Sequence, residues 1–103
     1  MKNEDFLIAK DKTSYSVNFD IKGRVDSNSA PILQCKLNEA IKSGVKKIVL
    51  DMSQVEFLSS AGIRVIIKTY RDITKAGGTL GIEKPSESVK NVLGMAALNE
   101  LLV

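Results

Sequence analysis

Apolar residues recur along this chain at two different periods, and the switches between them divide it into elements. Tyr15, Val17, Phe19 and Ile21 alternate with Ser16, Asn18, Asp20 and Lys22. A period of two marks a strand with one covered face, so residues 14–22 read as a strand that Gly23 breaks. Residues 5–9 read as an earlier strand, with Lys10-Asp11-Lys12-Thr13 as the polar turn between the two. The spacing then becomes helical through Leu33, Leu37, Ala40 and Ile41. Asp26-Ser27-Asn28-Ser29 supplies N-caps, Pro31 suits a first turn, and Ser43-Gly44 provides the stop.

Lys47-Ile48-Val49-Leu50-Asp51 is a short apolar strand, and its continuous run predicts cover on both faces. A Ser59-Ser60 turn leads into a second helix, periodic from about Ile63 and ending at Gly77-Gly78. Ile63, Ile66, Ile67, Tyr70 and Ile73 are expected to face the sheet. Thr79–Glu83 reads as another strand; Pro85-Ser86 opens a third helix with Val89, Val92 and Leu93 inward, and Gly94 interrupts it. The apolar tail from Met95 to Val103 is expected to pack on the body, with room for a short final strand. The order β-β-α-β-α-β-α-(β) predicts an antiparallel pair followed by parallel crossovers. This is an α/β protein with a mixed sheet of four or five strands, expected to be one domain over 1–103. No linker, repeat or low-complexity segment divides it.

Composition narrows the chemistry. Histidine is absent, which removes Ser-His-Asp and Cys-His catalysis, imidazole acid/base steps and histidine metal sites. No catalytic residue, metal or cofactor is expected, and the chain does not read as an enzyme. Cys35 is the single cysteine, so no internal disulfide forms; a reducing cytoplasm fits, and its helical setting suggests a packed, structural role. Net charge is only +3 and the few aromatics do not interleave with basic residues, which argues against direct nucleic-acid binding. No apolar run approaches the roughly 20 residues of a membrane span. Met1 to Ile8 lacks the apolar segment and cleavage site of a signal peptide.

Candidate chemistry gathers in Val55-Glu56-Phe57-Leu58-Ser59-Ser60-Ala61-Gly62-Ile63, where two hydroxyls stand at the passage from strand to helix. The first N–H groups of a helix lack internal partners and carry positive potential, so a serine there caps the helix and a phosphate there is well received. Arg64, Lys68, Arg71 and Lys75 follow at i, i+4, i+7 and i+11. At about 100° per residue they form one stripe, either a solvated face or a docking surface for an acidic partner. Asp26 reads as a cap of the first helix. Gly62 keeps the first turn accessible or serves close packing. Asp51 and Glu56 are explained by turn chemistry at the strand end.

With that element order, the chain resembles the STAS family, and within it the stand-alone anti-sigma factor antagonists. The matching residues are Gly23-Arg24-Val25-Asp26, Ile48-Val49-Leu50-Asp51-Met52-Ser53, the Val55–Ile63 stretch, Ala76-Gly77-Gly78, and Val92-Leu93-Gly94-Met95 to Leu98. The resemblance implies a STAS-type fold and a partner switch. An anti-sigma factor serine kinase phosphorylates the antagonist; the unmodified form binds that kinase and frees the sigma factor; a PP2C-type phosphatase restores the binding form. Aligned on Leu58 and Gly62, the acceptor maps to Ser60, with Ser59 as alternative acceptor or simple cap. Ser59 stands where the family commonly has aspartate. The implied partner surface is Asp26, Ser59, Ser60, Ala61, Gly62, Arg64, Lys68 and Arg71. A monomer or weak dimer, away from membranes, is expected. Two other readings remain: a STAS subunit of a stress-signalling complex or lipid-transport ABC system, without phosphorylation, and a small enzyme using Ser60 as nucleophile.

Overall fold

The computed structural model describes residues 6–96, 98, 101 and 102. Among the described residues, four strands and three helices follow one another as β1 (Leu7–Lys12), β2 (Ser16–Val25), α1 (Ala30–Lys42), β3 (Lys47–Leu58), α2 (Ser60–Lys75), β4 (Thr79–Glu83) and α3 (Glu87–Met95). The sheet order is β1-β2-β3-β4, with β1 antiparallel to β2 and the other pairs parallel. The expected mixed sheet and element order are therefore present. Of the optional last strand, the described residues show a parallel bridge between Ile82 and Leu102.

Alternation decides which face the helices cover. Val17, Phe19, Ile21 and Val25 of β2 are buried, as are Ile48, Leu50 and Met52 of β3 and Leu80 and Ile82 of β4. Leu33 and Leu37 of α1, Ile66 and Ile73 of α2, and Val89 and Leu93 of α3 join them in one core. The opposite face is open: Asn18, Asp20 and Lys22 are exposed. Ile48-Val49-Leu50 is thus helix-covered on one side only. Val49 is screened instead by its strand neighbours, above a depression of about 280 Å³ lined by Asn18, Lys47, Gly81 and Glu83.

Several boundaries differ from the sequence expectation, each for a local reason. Residue 5 lies outside the described residues, and β1 continues through the presumed turn to Lys12, which pairs with Val17. Lysines are tolerated there because β1 is an edge strand. The true turn is closed by the Thr13 hydroxyl, which accepts the Tyr15 and Ser16 N–H groups at 3.2 and 3.0 Å. Gly23 does not end β2; at φ 99° it sits where the β2–β3 register shifts. An L side chain resists that backbone conformation, so glycine permits the strand to continue.

The largest difference is β3, which runs twelve residues instead of five. Lys22 pairs with Gln54 after Asp20 pairs with Asp51, and Arg24 pairs with Phe57 after Gly23 pairs with Val55. Each step inserts one extra residue in β3. Period two is lost although pairing persists, which hides this half of the strand from a pattern reading. The run of α3 through Gly94 to Met95 likewise replaces the expected interruption. Cys35 is exposed, not packed; at about 100° per residue it points away from the Leu33–Leu37 stripe.

The buried stripe of α2 is Gly62, Val65, Ile66, Thr69 and Ile73. Ile66 and Ile73 face the core as expected, Ile63 and Ile67 are half-buried, and Tyr70 is 38% exposed. The correction is a rotation of the face, because Val65 packs toward α1 and pulls that side of the helix inward. Beyond Lys75, the Gly77 N–H bonds the Thr74 carbonyl at 3.0 Å and the Gly78 N–H bonds that of Ile73 at 2.8 Å. This Schellman closure needs the left-handed Gly77, at φ 84°.

Gly78 and Gly94 give opposite expectations. A Cβ on Gly78 would stand 2.5 Å from the Lys46 carbonyl oxygen and 2.8 Å from Ile73 Cγ1, whereas one on Gly94 meets nothing within 4 Å. Gly78→Ala should cost about 1–3 kcal/mol by overpacking. Gly94→Ala should gain about 0.5–1 kcal/mol from helix preference. Urea unfolding midpoints of the two variants check both signs.

Candidate functional site

Two loops meet where β2 and β3 end together. Val25 pairs with Leu58, and the Ser59 N–H donates to the Val25 carbonyl at 2.9 Å. The Asp26 turn and the Ser59-Ser60 turn are therefore neighbours. Ser59 is extended at φ −82°, ψ 172°, and its Oγ accepts the Gly62 N–H at 3.2 Å. The Ile63 N–H bonds the Ser59 carbonyl at 2.9 Å, the first bond of α2. Ser59 is thus a true N-cap, half-buried and committed.

Ser60 is different. It is the first residue of α2, it is exposed, and no hydrogen bond engages its hydroxyl among the described residues. Adjacent serines hold distinct tasks: one closes the helix, the other offers a free alcohol at its positive end. A phosphate on Ser60 adds about −1.5 to −2 charge in a position the helix favours. No carboxylate caps α2, since Ser59 does so and the first turn holds no acidic residue.

Gly62 lies beneath this loop and is buried. A Cβ there would fall 2.6 Å from Leu58 Cδ1 and 2.8 Å from Val25 Cγ1. Close packing, rather than surface access, accounts for the glycine: it lets the start of α2 settle on the ends of β2 and β3.

Asp26 does not cap α1 itself, since Ser29 holds that position. Its Oδ1 accepts the Asn28 and Ser29 N–H groups at 3.0 and 3.1 Å, and its carbonyl accepts the Ala30 N–H at 2.8 Å. The Ser29 hydroxyl donates to the Arg24 carbonyl at 2.6 Å. These bonds fix the turn beside Ser59. The Ser29 N–H chiefly, helped by Asn28, the Ser29 hydroxyl and the Arg24 charge, holds the Asp26 carboxyl below its ordinary 3.8 against some desolvation. Asp51 is lowered in the same way, chiefly by the Ser53 N–H. The strand-end role expected of Asp51 and Glu56 does not hold, because β3 runs on to Leu58: Asp51 accepts the Ser53 N–H within the strand, beside the register shift, and Glu56 is exposed.

Arg64 and Lys68 line one wall of a groove between α1 and α2, of about 440 Å³, with Ala61 at the Ser60 end and Ser27, Pro31 and Gln34 opposite. Arg71 and Lys75 continue the stripe along exposed helix. The stripe is not purely basic: Lys68 Nζ is 2.6 Å from Asp72 Oδ2, and that bond draws the Asp72 carboxyl below its ordinary value. Arg64 has no such partner among the described residues.

One feature escapes sequence reasoning. The Arg24 guanidinium lies 4.6 Å from the centroid of the Phe57 ring, and Phe57 is 40% exposed. Such a contact is worth about 0.5–1 kcal/mol at an exposed site. The extra residue in β3 turns Phe57 outward, and only Gly23 hints at that irregularity in the sequence. No group of three or more candidate metal ligands occurs among the described residues.

Comparison with known proteins identifies the family and the fold. The STAS domain family model matches residues 8–102, and the chain belongs to that family. The anti-sigma-B factor antagonist of Bacillus subtilis (strain 168) is 27% identical over 86 residues, 84% of this chain and 78% of that protein. Among solved structures, the anti-sigma factor antagonist SpoIIAA in its unphosphorylated form matches with TM-score 0.84 at 20% identity, covering 95% of this chain and 85% of that one. The Bacillus cell fate determinant SpoIIAA in its phosphorylated form matches with TM-score 0.77 at 20% identity, over 95% and 88%. At that identity the structures establish a shared fold.

Two expectations follow from the loop. Ser59→Ala should destabilise the domain by about 0.5–2 kcal/mol. Ser60→Ala should change stability by less than about 0.5 kcal/mol, and Ser60→Glu should gain about 0.3–1 kcal/mol. Chemical denaturation of the three variants tests the division of labour. Because the Asp26 value is lowered on folding, its stabilisation is complete above 3.8 and is lost as pH falls through the folded-state value. The difference in urea midpoint between wild type and Asp26→Asn should therefore shrink between about pH 5 and 2.

Proposed function

We propose that this protein is an anti-sigma factor antagonist, a single STAS domain over residues 1–103 that binds an anti-sigma factor serine kinase and so releases a sigma factor. Phosphorylation of Ser60 ends the binding, and a PP2C-type phosphatase restores it. The observation that carries this reading is the free Ser60 hydroxyl at the start of α2, beside a cap serine already occupied by the Gly62 N–H. The named relatives, an antagonist of an anti-sigma factor and SpoIIAA in two phosphorylation states, support it.

The physics of the switch is local. A phosphate at Ser60 leaves the domain folded, because the helix start accommodates anionic charge. Association is where it acts: a dianion introduced into a close interface brings bulk, desolvation and repulsion of partner carboxylates. The Asp26 turn, Ser59, Ser60 and Ala61 form the centre of the contact, held in place by buried Gly62. Arg64, Lys68 and Arg71 steer an acidic partner surface toward it. The protein performs no catalysis of its own and acts as a monomer or weak dimer in the cytoplasm. No helix among the described residues is long and apolar enough to cross a membrane.

Incubation with the anti-sigma factor kinase and ATP, followed by intact mass and site mapping, should add one phosphate at Ser60. Ser60→Ala should abolish that species while binding persists, and Ser60→Asp or Ser60→Glu should weaken binding. Exchanging Arg64 and Lys68 for glutamate should slow association, most at low salt; an unchanged on-rate assigns the stripe to solvation. Binding of the kinase without any phosphate transfer favours a subunit in a larger assembly.

A further inference from the structure

We propose that the stacked Arg24–Phe57 pair is a second contact for the partner that meets Ser60, and that it receives an apolar side chain flanked by a carboxylate. This rests on the partner-switch reading and adds a surface on the other side of the loop from the α1–α2 groove. Four observations carry it.

Position comes first. Arg24 pairs with Phe57, the next register pair is Val25 with Leu58, and the next bond joins Ser59 to Val25. The pair therefore borders the Ser59-Ser60 loop directly, on the uncovered face of the sheet. Orientation is the second. Val55 and Leu58 are buried, so an extra residue between them sends Glu56 and Phe57 outward, leaving a phenyl ring 40% exposed. A strand that simply alternated would have turned Phe57 inward with Val55. The irregularity places an apolar group in water, a cost recovered when a partner covers it.

Charge is the third observation. No carboxylate of the described residues lies within ion-pair distance of Arg24. Its guanidinium keeps in-plane donors free while its face rests on the ring at 4.6 Å. A carboxylate beside an apolar side chain satisfies both halves of the pair. Pre-organisation is the fourth. Stacking fixes the long arginine side chain before association, so less freedom is lost on binding. Aromatic and arginine anchors of this kind dominate interface energetics.

The experiment uses the full chain and each purified anti-sigma factor serine kinase of the source organism, with binding followed by surface plasmon resonance. Against a kinase that binds the wild type, Phe57→Ala should weaken affinity by about tenfold or more, mainly through faster dissociation. Arg24→Gln should weaken it by about threefold to tenfold, with a loss that diminishes at high salt. The double variant should lose less than the product of the two, because ring and guanidinium act as a unit. Arg24 is exposed and its substitution spares the core, so the arginine arm stands even where Phe57→Ala lowers the melting temperature. Wild-type affinity in both variants overturns the contact and leaves the partner switch intact. Failure of every kinase to bind the wild type overturns the switch, and this contact with it.

Discussion

Everything at the candidate site depends on the parallel pairing of β2 and β3 being carried to the last residue of both strands. Val25 and Leu58 pair there, and the Ser59 amide is bound to the Val25 carbonyl. Without that bond, the Asp26 turn and the start of α2 would be two unrelated loops. With it, they become one surface whose backbone is fixed by hydrogen bonds on both sides. The pairing survives only because β3 absorbs two extra residues and because Gly23 tolerates the conformation that the first half of the pair demands. A close approach of helix to sheet completes the arrangement, since Gly62 has no side chain to hold α2 away from Val25 and Leu58.

That geometry separates folding from signalling in neighbouring residues. Ser59 spends its hydroxyl on the helix, and Ser60 keeps its own in solvent. The neutral cap leaves the helix dipole uncompensated by any first-turn carboxylate, so charge arriving at Ser60 meets an environment that has not been neutralised beforehand. A modification can therefore alter what the surface accepts without loosening the core beneath it.

Much of this was legible in the sequence, for identifiable reasons. The alternation of Ser16 to Lys22, the helical spacing of Leu33, Leu37 and Ala40, and the stop at Gly77-Gly78 are all present in the structure, whereas Tyr15, expected on the covered face, lies in the turn before β2 and is 63% exposed. Where regularity fails, legibility fails with it. The second half of β3 was invisible because its bulges destroy the period while hydrogen bonding continues. The outward turn of Phe57 depends on the same irregularity. Cys35 was misplaced because a cysteine is compatible with either side of a helix, and only angular position relative to Leu33 and Leu37 decides. Tyr70 was misplaced because burial of Val65 against α1 shifts the covered arc of α2, a tertiary effect that a single-helix pattern cannot contain.

The bridge between Ile82 and Leu102 has a consequence for solubility. β4 is the outermost parallel strand, and its outward amides and carbonyls form a template on which another chain could zip. Leu102 occupies part of that template, with buried Leu101 anchoring the approach. At the opposite margin, Lys10, Asp11 and Lys12 make β1 an unwelcoming edge by charge. The two borders are thus guarded by different means, one by ionic residues and one by the chain's own returning segment. Trimming that segment would bare the β4 border to edge-to-edge stacking and, in the same stroke, withdraw Leu101 from the hydrophobic interior.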